Sequence, residues 1–354
     1  MARMQELLHK LRDESGSDLH LAAGQPPRMR RKGSLEPLAG SSPLDDAGVR
    51  ALLREVADDE AWAAYERSHD LDFAYGLPGV GRFRVNYFVQ ENGAGAVFRI
   101  IPEAIQTLEQ LGMPEAIHGF AHLDRGLVLV TGPTGSGKST TLAAIINEIN
   151  ENYAKHILTI EDPVEFVHSN KRCLFSHREV GVHTQGFGPA LRAALRQDAD
   201  VILVGELRDY ETISLALTAA EMGALVFGTL HTAGAAKTID RVIDAFPVDQ
   251  QPQARLSLSE SLAGVVSQLL LRTADGRGRC GVNEILIRTS GLANVIRESN
   301  TPMLLNIIQS GKSQGMQTMD DALLQLVQAG RIAPEDAYRK ATDKSRFERF
   351  APAE

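Results

Sequence analysis

The stretch GPTGSGKST, residues 132–140, decides the fold of this chain because it has the G-x-x-x-x-G-K-[S/T] spacing of a phosphate-binding loop. An apolar run before it, residues 127–130, predicts a strand, and residues 141–146 after it predict the start of a helix. A strand, a glycine-rich loop and a helix in this order are the setting that the motif requires. The candidate nucleotide-binding residues are therefore Gly132, Pro133, Thr134, Gly135, Ser136, Gly137, Lys138, Ser139 and Thr140.

Each part of this loop suits the binding of ATP with Mg²⁺. Glycines let backbone N–H groups approach phosphate oxygens closely, and the amino terminus of the following helix adds its dipole. Lys138 places a positive charge at the β- and γ-phosphates, and Ser139 offers a hydroxyl group to Mg²⁺. The sequence thus predicts a nucleotide site with a metal ligand at Ser139.

Composition argues against nucleic acid as a partner. The chain has 354 residues and a net charge of −8, and only 5% of its residues are aromatic, which disfavours stacking on bases. The one dense basic run, residues 28–32, is interpreted as a solvated loop. Two cysteines and no C-x-x-C pair favour a reducing compartment and exclude a four-cysteine zinc site.

No segment of the sequence predicts insertion into a membrane. The longest apolar stretch, residues 215–230, contains Glu221 and two glycines and is shorter than a membrane-spanning helix. The amino-terminal residues lack the apolar core of a signal peptide. We therefore expect a cytoplasmic protein that reaches a membrane only through partners.

Changes in pattern along the chain predict two domains. Residues 1–102 predict a small α+β domain, residues 103–118 a linker, and residues 119–354 an ATPase domain with helices at its carboxyl end. In the first domain, residues 24–43 are interpreted as a loop and residues 91–95 as a turn. Residues 81–90 alternate apolar and polar side chains, which predicts a strand with arginines on its polar face.

The second domain alternates apolar strands with helices, which favours a mostly parallel sheet covered by helices. The predicted strands are residues 126–131, 156–161, 201–205, 225–230 and 280–287. The sequence thus predicts an α/β fold.

Three polar clusters follow predicted strands and are candidates for catalysis, because ligands of parallel sheets bind at the carboxyl ends of the strands. Glu161 ends one strand, and Glu206 ends another in a string that is typical of a Walker B strand. Gly205 occupies the position where that motif usually has an aspartate, so Glu206 is a further candidate ligand for Mg²⁺. His231 follows a third strand, and Arg208–Asp209 is interpreted as a structural ion pair.

Five arginines are candidates for stabilising charge on the transferred phosphoryl group, a role that an adjacent subunit often supplies. Arg82, Arg84 and Arg99 lie on predicted paired strands of the first domain, and Arg241 and Arg272 lie beyond His231.

Four strings in this order resemble the Walker A, Asp box, Walker B and His box of the secretion ATPase superfamily: GPTGSGKST, TIEDPVEF, RQDADVILVGELRDYETI and GTLHT. Within it, the chain resembles the PilT family, the motors that retract type IV pili. The strings that carry this resemblance are SDLHL, GRFRVN, REVGVHTQGF, IDRVIDAFP and GMQTMDDAL, and it spans about residues 5–345.

The resemblance implies a RecA-like ATPase domain, a PAS-like amino-terminal domain, a homohexameric ring and an inner-membrane pilus platform protein as partner. It implies a cytoplasmic motor, peripheral at the inner membrane, that powers twitching motility. By motif, Glu206 matches the Walker B glutamate, Glu161 the Asp-box acid and His231 the His-box residue. Arg84 and Arg99, together with Arg82, match the arginines that reach nucleotide, and Arg241 matches an arginine after the His box.

One departure keeps alternatives open. Members of the family often carry the string AIRNLIRE, which retraction needs, where this chain reads GLANVIRE at residues 291–298. An accessory retraction paralogue is therefore an alternative. An assembly or type II secretion ATPase is a second alternative within the superfamily. A module that holds ATP as a switch without hydrolysis and a nucleic-acid translocase are alternatives from other classes.

Overall fold

The computed structural model describes residues 3–31, 33–101 and 104–351. The chain divides into two compact units, residues 1–104 with 163–167 and residues 105–162 with 168–354. The predicted domain boundary at residues 102 and 103 falls outside the described residues. The predicted division into 1–102, 103–118 and 119–354 therefore stays a prediction.

The first unit is built on a six-stranded antiparallel sheet with the strand order β3-β2-β1-β6-β5-β4. Three helices, α1, α2 and α3, contribute apolar residues to the core that one face of this sheet shares. The elements are α1 (Arg3–Asp13), β1 (Asp18–Ala22), β2 (Arg28–Arg31), β3 (Ser34–Pro37), α2 (Asp46–Arg54), α3 (Asp59–Ser68), β4 (Asp70–Leu77), β5 (Gly81–Gln90) and β6 (Gly93–Ile101).

Local sequence explains these elements. Asp45 and Asp58 cap α2 and α3 by accepting hydrogen bonds from the backbone N–H groups of Gly48 and Ala61, which the helices themselves leave unpaired. In β5, Phe83, Val85 and Tyr87 are buried, as the alternation in the sequence predicts, whereas Val89 near the end of the strand is 40% exposed.

Two predictions for this unit were wrong. Residues 24–43 are not one loop, because Arg28–Arg31 forms β2 and pairs with β3 in an antiparallel hairpin. The basic run is therefore largely a strand, and its last residue, Lys32, lies outside the described residues. The turn predicted at residues 91–95 is shorter, since β6 begins at Gly93 and pairs with Gln90.

The second unit is built on a seven-stranded sheet with the order β13-β12-β7-β11-β10-β8-β9. All neighbouring strands are parallel except β12 and β13. The prediction of an α/β fold with a mostly parallel sheet is confirmed. The strands are β7 (Gly126–Thr131), β8 (His156–Glu161), β9 (Leu174–Glu179), β10 (Val201–Val204), β11 (Leu225–Leu230), β12 (Leu262–Arg272) and β13 (Arg279–Ile287).

Helices cover both faces of this sheet, as parallel strands require. On one face, α4 and α5 share an apolar cluster with β7, and on the other, α6 to α11 share a second cluster with the sheet. The helices are α4 (Glu115–His118), α5 (Lys138–Asn152), α6 (Phe187–Ala194), α7 (Tyr210–Glu221), α8 (Ala235–Asp244), α9 (Gln251–Ser261), α10 (Ser290–Arg297), α11 (Leu304–Ser310), α12 (Met319–Gln328) and α13 (Pro334–Lys340). Among the described residues, no helix is long and apolar enough to span a membrane.

All five strands predicted for this unit are present, and two further strands were missed. The edge strand β9 has mostly half-exposed side chains, so its sequence lacks the apolar pattern of its neighbours. The strand β12 is apolar enough to be recognised, but it follows α9 directly, without the turn residues that would separate the two in the sequence.

Candidate functional site

The predicted phosphate-binding loop lies between β7, which ends at Thr131, and α5, which begins at Lys138. Pro133, Thr134 and Gly135 at its tip are exposed. β7 is a central strand whose six residues are all buried, so the loop projects from a rigid support.

The backbone of this loop has the conformation that its glycines permit. Gly132, Gly135 and Gly137 have φ values of 139°, 77° and 88°, a region that side chains disfavour. A Cβ atom on Gly132 would lie 2.2 Å from the carbonyl oxygen of Gln268 on the adjacent strand β12. Glycine at 132 is thus required both by backbone conformation and by close packing.

Lys138 is turned back onto the loop. Its Nζ donates hydrogen bonds to the carbonyl oxygens of Gly132, at 2.9 Å, and Pro133, at 3.2 Å, and the residue is only 9% exposed. Ser139, the next residue, is exposed. The loop therefore places a cation against its own backbone and a hydroxyl group towards solvent.

The other predicted acids and the histidine lie at the same edge of the sheet. Glu161 ends β8, Glu206 lies two residues after β10, and His231 follows β11 directly. Because β8, β10, β11 and β7 are neighbouring parallel strands, their carboxyl ends meet where the loop begins. The structure thus brings these predicted residues to the edge of the sheet that carries the loop.

Two basic groups hold the carboxylate of Glu206. Nε2 of His231 lies 3.2 Å from its Oε1, and Nε of Arg208 lies 2.8 Å from its Oε2. The Glu206 side chain is 21% exposed, so it is oriented by the protein yet still reachable by water. The predicted ion pair of Arg208 with Asp209 is wrong, because Asp209 caps α7 by accepting a hydrogen bond from the backbone N–H of Thr212.

Close packing explains why glycine, and not the aspartate that is usual in this motif, occupies position 205. A Cβ atom there would lie 3.3 Å from both Cα of Glu161 and the carbonyl oxygen of Ile160 on β8, and 3.5 Å from Cγ of Glu161. The backbone at Gly205 is also tied on both sides, since its N–H donates to Ile160 and its carbonyl accepts from the hydroxyl of Thr229. The side chain of Glu161 fills the space beside Gly205.

The three amino-terminal arginines lie in the first unit, on the face of its sheet that points away from the core. Arg84 on β5 is paired directly with Arg99 on β6, and Arg99 is paired with Asp18 on β1. Nε of Arg99 donates a 2.7 Å hydrogen bond to Oδ1 of Asp18, which is buried. Burial raises the pKa of Asp18, but the hydrogen bonds from Ser17 and Arg99 outweigh this and lower the pKa overall. Arg82 lies two residues before Arg84 on the same face.

Arg241 lies in the last turn of α8 and is exposed. Among the described residues it has no ion pair, and nothing in the geometry joins it to Glu206 or His231.

Sequence reasoning missed three residues that contact this site. Arg208 binds Glu206, and Ser267 and Gln268 on β12 contact the two loops beside it. The signal for the last two was available, since they are adjacent polar residues inside an apolar strand. Among the described residues, no group of three or more His, Cys, Asp or Glu side chains is arranged to hold a metal ion.

Comparison with known proteins gives consistent matches. The model of the type II/IV secretion system protein family matches residues 78–340. The chain is 51% identical to the type IV pilus retraction ATPase PilT of Pseudomonas aeruginosa, over 97% of this chain and 99% of that protein. It is 54% identical to a twitching motility protein of Neisseria gonorrhoeae, over 83% of this chain and 78% of that protein.

Among solved structures, the fold is similar to that of the pilus retraction motor PilT with bound ADP. The TM-score is 0.91 and the identity 41%, over 99% of both chains.

Proposed function

Because this chain belongs to the PilT family of type II/IV secretion system proteins, we propose that it is an ATP-hydrolysing motor that retracts type IV pili and powers twitching motility. The observation that carries the proposal is the position of Glu206, held by Arg208 and His231 at the sheet edge from which the phosphate-binding loop projects. That arrangement combines a group that binds phosphate with a group that orients water, which are two of the requirements for ATP hydrolysis.

Binding of ATP falls to residues 132–140. The backbone N–H groups of the loop and the amino terminus of α5, which is 15 residues long, face the position of the phosphates. Lys138 exchanges its bonds to Gly132 and Pro133 for bonds to phosphate oxygens. This exchange requires no burial of an unpaired charge, because the ammonium group has hydrogen-bond acceptors before and after binding.

The residues fit a magnesium ion that arrives with the nucleotide rather than one held by a protein cage. Ser139 is exposed at the first turn of α5, and Glu206 is a further candidate ligand. A magnesium ion that keeps several waters and uses few protein ligands is common in sites that bind nucleotides. When bound, it would neutralise charge on the phosphate oxygens.

Hydrolysis requires a base that orients the attacking water, and we assign this role to Glu206. Ion-pair contacts to both of its carboxylate oxygens limit the rotation of the side chain, which lowers the cost of orienting water. Glu161 is the second candidate for the same role, since its Cγ lies beside Gly205. His231, which follows β11, would couple any movement of the Glu206 carboxylate to that strand.

Arg84, Arg99 and Arg82 lie in the other unit, and we propose that they reach nucleotide bound by a neighbouring subunit of a homohexamer. Two arginines paired directly across strands repel each other unless an anion is close, and Asp18 compensates only Arg99. An anionic phosphate group supplied by a neighbour would satisfy Arg84. Arg241 is exposed on α8 and is proposed to contribute in the same way.

The proposed place of work is the cytoplasmic side of the inner membrane. The chain would be held there by a platform protein of the pilus machinery, without inserting into the membrane itself. We propose no nucleic-acid partner, because the net charge is −8.

A second candidate, an accessory retraction paralogue, is favoured by one observation. Helix α10 carries only the second half of the AIRNLIRE string, and its Leu292 and Ile296 are buried while its other residues are at least partly exposed. Deletion of the gene, with surface pili and twitching as the measurements, distinguishes these candidate functions. Excess surface pili without twitching would support a retraction motor, absent pili would support an assembly ATPase, and unchanged pili with weaker twitching would support an accessory role.

A further inference from the structure

The side chain of Gln268 lies between the phosphate-binding loop and the helix that follows it. Gln268 comes one residue after Ser267, which pairs with Thr131 at the end of β7, so its backbone lies beside Gly132. The residue is 1% exposed, although it carries a polar amide. A buried amide must have hydrogen-bond partners to offset the loss of water.

Both ends of the amide have such partners in the loop and the helix. Nε2 of Gln268 donates a 2.7 Å hydrogen bond to the carbonyl oxygen of Ser136, and Oε1 accepts a 2.8 Å bond from the hydroxyl of Thr141. A carbonyl oxygen can only accept, so the amide NH₂ group must face Ser136 and its oxygen must face Thr141. Ser136 and Thr141 are themselves buried, so water does not compete for these bonds.

The glycines of the loop are fitted to the same side chain and backbone. A Cβ atom on Gly137 would lie 2.8 Å from the side-chain Nε2 of Gln268. A Cβ atom on Gly132 would lie 2.2 Å from the backbone carbonyl oxygen of Gln268. Gln268 therefore contacts both ends of the loop. Its backbone lies against Gly132 at the start of the loop, and its side chain lies against Ser136 and Gly137 at the end.

We propose that Gln268 is a positioning residue for nucleotide binding, which holds the phosphate-binding loop in the shape that receives phosphate and ties it to α5. The inference rests on the proposal that this loop binds ATP. The bond to Ser136 fixes the peptide plane between Ser136 and Gly137, and so it fixes the direction of the N–H group of Gly137. An N–H group that already points towards the phosphate costs less to order when nucleotide binds.

The bond to Thr141 has a second effect. If the bond to Gln268 is absent, the Thr141 hydroxyl can donate instead to a backbone carbonyl one helical turn earlier. The hydroxyl then has a hydrogen-bond partner, but the side chain of Gln268 no longer ties the loop to the helix. The loop carbonyl of Ser136 has no such substitute, because it is buried. Removal of the Gln268 donor should therefore disturb the loop more than removal of the Thr141 hydroxyl.

The test compares Gln268→Leu, Gln268→Glu and Thr141→Val with the wild type. Gln268→Glu keeps the side-chain volume and the acceptor for Thr141 but places an oxygen against the Ser136 carbonyl. We expect the affinity for a fluorescent ADP analogue to fall at least tenfold in both Gln268 variants and only a few-fold in Thr141→Val. Wild-type affinity in folded Gln268→Leu and Gln268→Glu would overturn the inference.

A second measurement does not depend on nucleotide. Amide hydrogen exchange in a peptide that covers residues 132–141 should be at least tenfold faster in nucleotide-free Gln268→Glu than in the wild type. If the wild type fails to bind ADP while this exchange still rises, the nucleotide proposal is wrong and the positioning role stands. Unchanged exchange in the variant would overturn the positioning role.

Asn283→Leu is the matched control. Asn283 is directly opposite Gln268 in the β12–β13 pair, it is 3% exposed, and its amide lies 3.5 Å from the sulfur of Met113 rather than against the loop. This substitution removes a buried amide from the same sheet, so it measures the cost to stability alone. Because Oδ1 of Asn283 is buried without a hydrogen-bond partner among the described residues, its replacement by leucine should leave the fold intact. We expect wild-type affinity and exchange at residues 132–141, and a fall in affinity as large as that of Gln268→Leu would contradict a specific role for Gln268.

Discussion

Nε2 of His231 lies 3.2 Å from Oε1 of Glu206, although the two residues follow different strands, β11 and β10. These strands are parallel neighbours, so the contact joins two points that are 25 residues apart in the sequence. Any movement of the loop after β11 would therefore act on the carboxylate proposed to orient water.

His231→Ala removes one of the two groups that hold Glu206 while Arg208 stays in place. We expect kcat for ATP hydrolysis to fall about tenfold, the effect of a barrier raised by ~1.4 kcal/mol. The affinity for ADP should not change, because His231 does not belong to the phosphate-binding loop. Wild-type kcat in this variant would contradict the proposed link between the two strands.

Lys138→Ala removes the only side-chain cation of the phosphate-binding loop. A hydrogen bond to a charged group contributes about 1.5–3 kcal/mol, so the affinity for ADP should fall roughly 10- to 100-fold. Isothermal titration calorimetry with ADP measures this directly. An unchanged Kd would mean that residues 132–140 do not bind the phosphates.

Arg84→Ala tests whether the first unit contributes to hydrolysis. We expect turnover at least about tenfold below the wild type, since an arginine finger contributes up to several orders of magnitude. The thermal melt should remain close to that of the wild type, because Arg84 is exposed. Arg67→Ala is the control, as Arg67 is an exposed arginine in the last turn of α3, and equal activity in both variants would contradict the role of Arg84.

Asp321 predicts a dependence of stability on pH. Burial raises its pKa, but hydrogen bonds from Lys312 and Arg346 outweigh this and lower the pKa to about 2. A carboxyl group with a lowered pKa in the folded state stabilises the fold above its unfolded pKa, and this contribution disappears as the pH falls towards 2. Asp321→Asn should therefore lower the free energy of unfolding by about 2 kcal/mol at pH 7 and by roughly half as much at pH 3.

Urea unfolding of wild type and Asp321→Asn at both pH values measures this difference. Asp249→Asn is the control, since Asp249 is exposed and has no ion pair among the described residues. An equal loss of stability at pH 7 and pH 3 would show that the carboxylate charge of Asp321 is not what stabilises the fold.

The positions of five strands along the chain and the edge of the sheet that carries the site could be predicted because each signal is local. The loop at residues 132–140 follows one apolar strand, and Glu161, Glu206 and His231 each follow another. In a parallel sheet, residues at the ends of strands share an edge wherever they occur in the sequence.

The contacts within the site could not be predicted, because they depend on register between distant segments. The sequence favours Asp209 as the partner of Arg208, its neighbour, yet Asp209 caps α7 and Arg208 contacts Glu206 instead. The contact of Gln268 with Ser136 joins residues that are 132 positions apart, and the strand that carries Gln268 was itself missed. A polar residue inside an apolar strand indicates a buried partner but does not identify it.

The central claim is that the chain hydrolyses ATP and that Glu206 orients the attacking water. The most direct measurement is the release of phosphate by the purified wild-type protein and by Glu206→Gln in the presence of ATP and Mg²⁺. We predict turnover in the wild type and a kcat at least about 100-fold lower in the variant. The affinity for ADP should be the same in both proteins. Absence of turnover in the wild type, or equal turnover in the two proteins, would contradict this account.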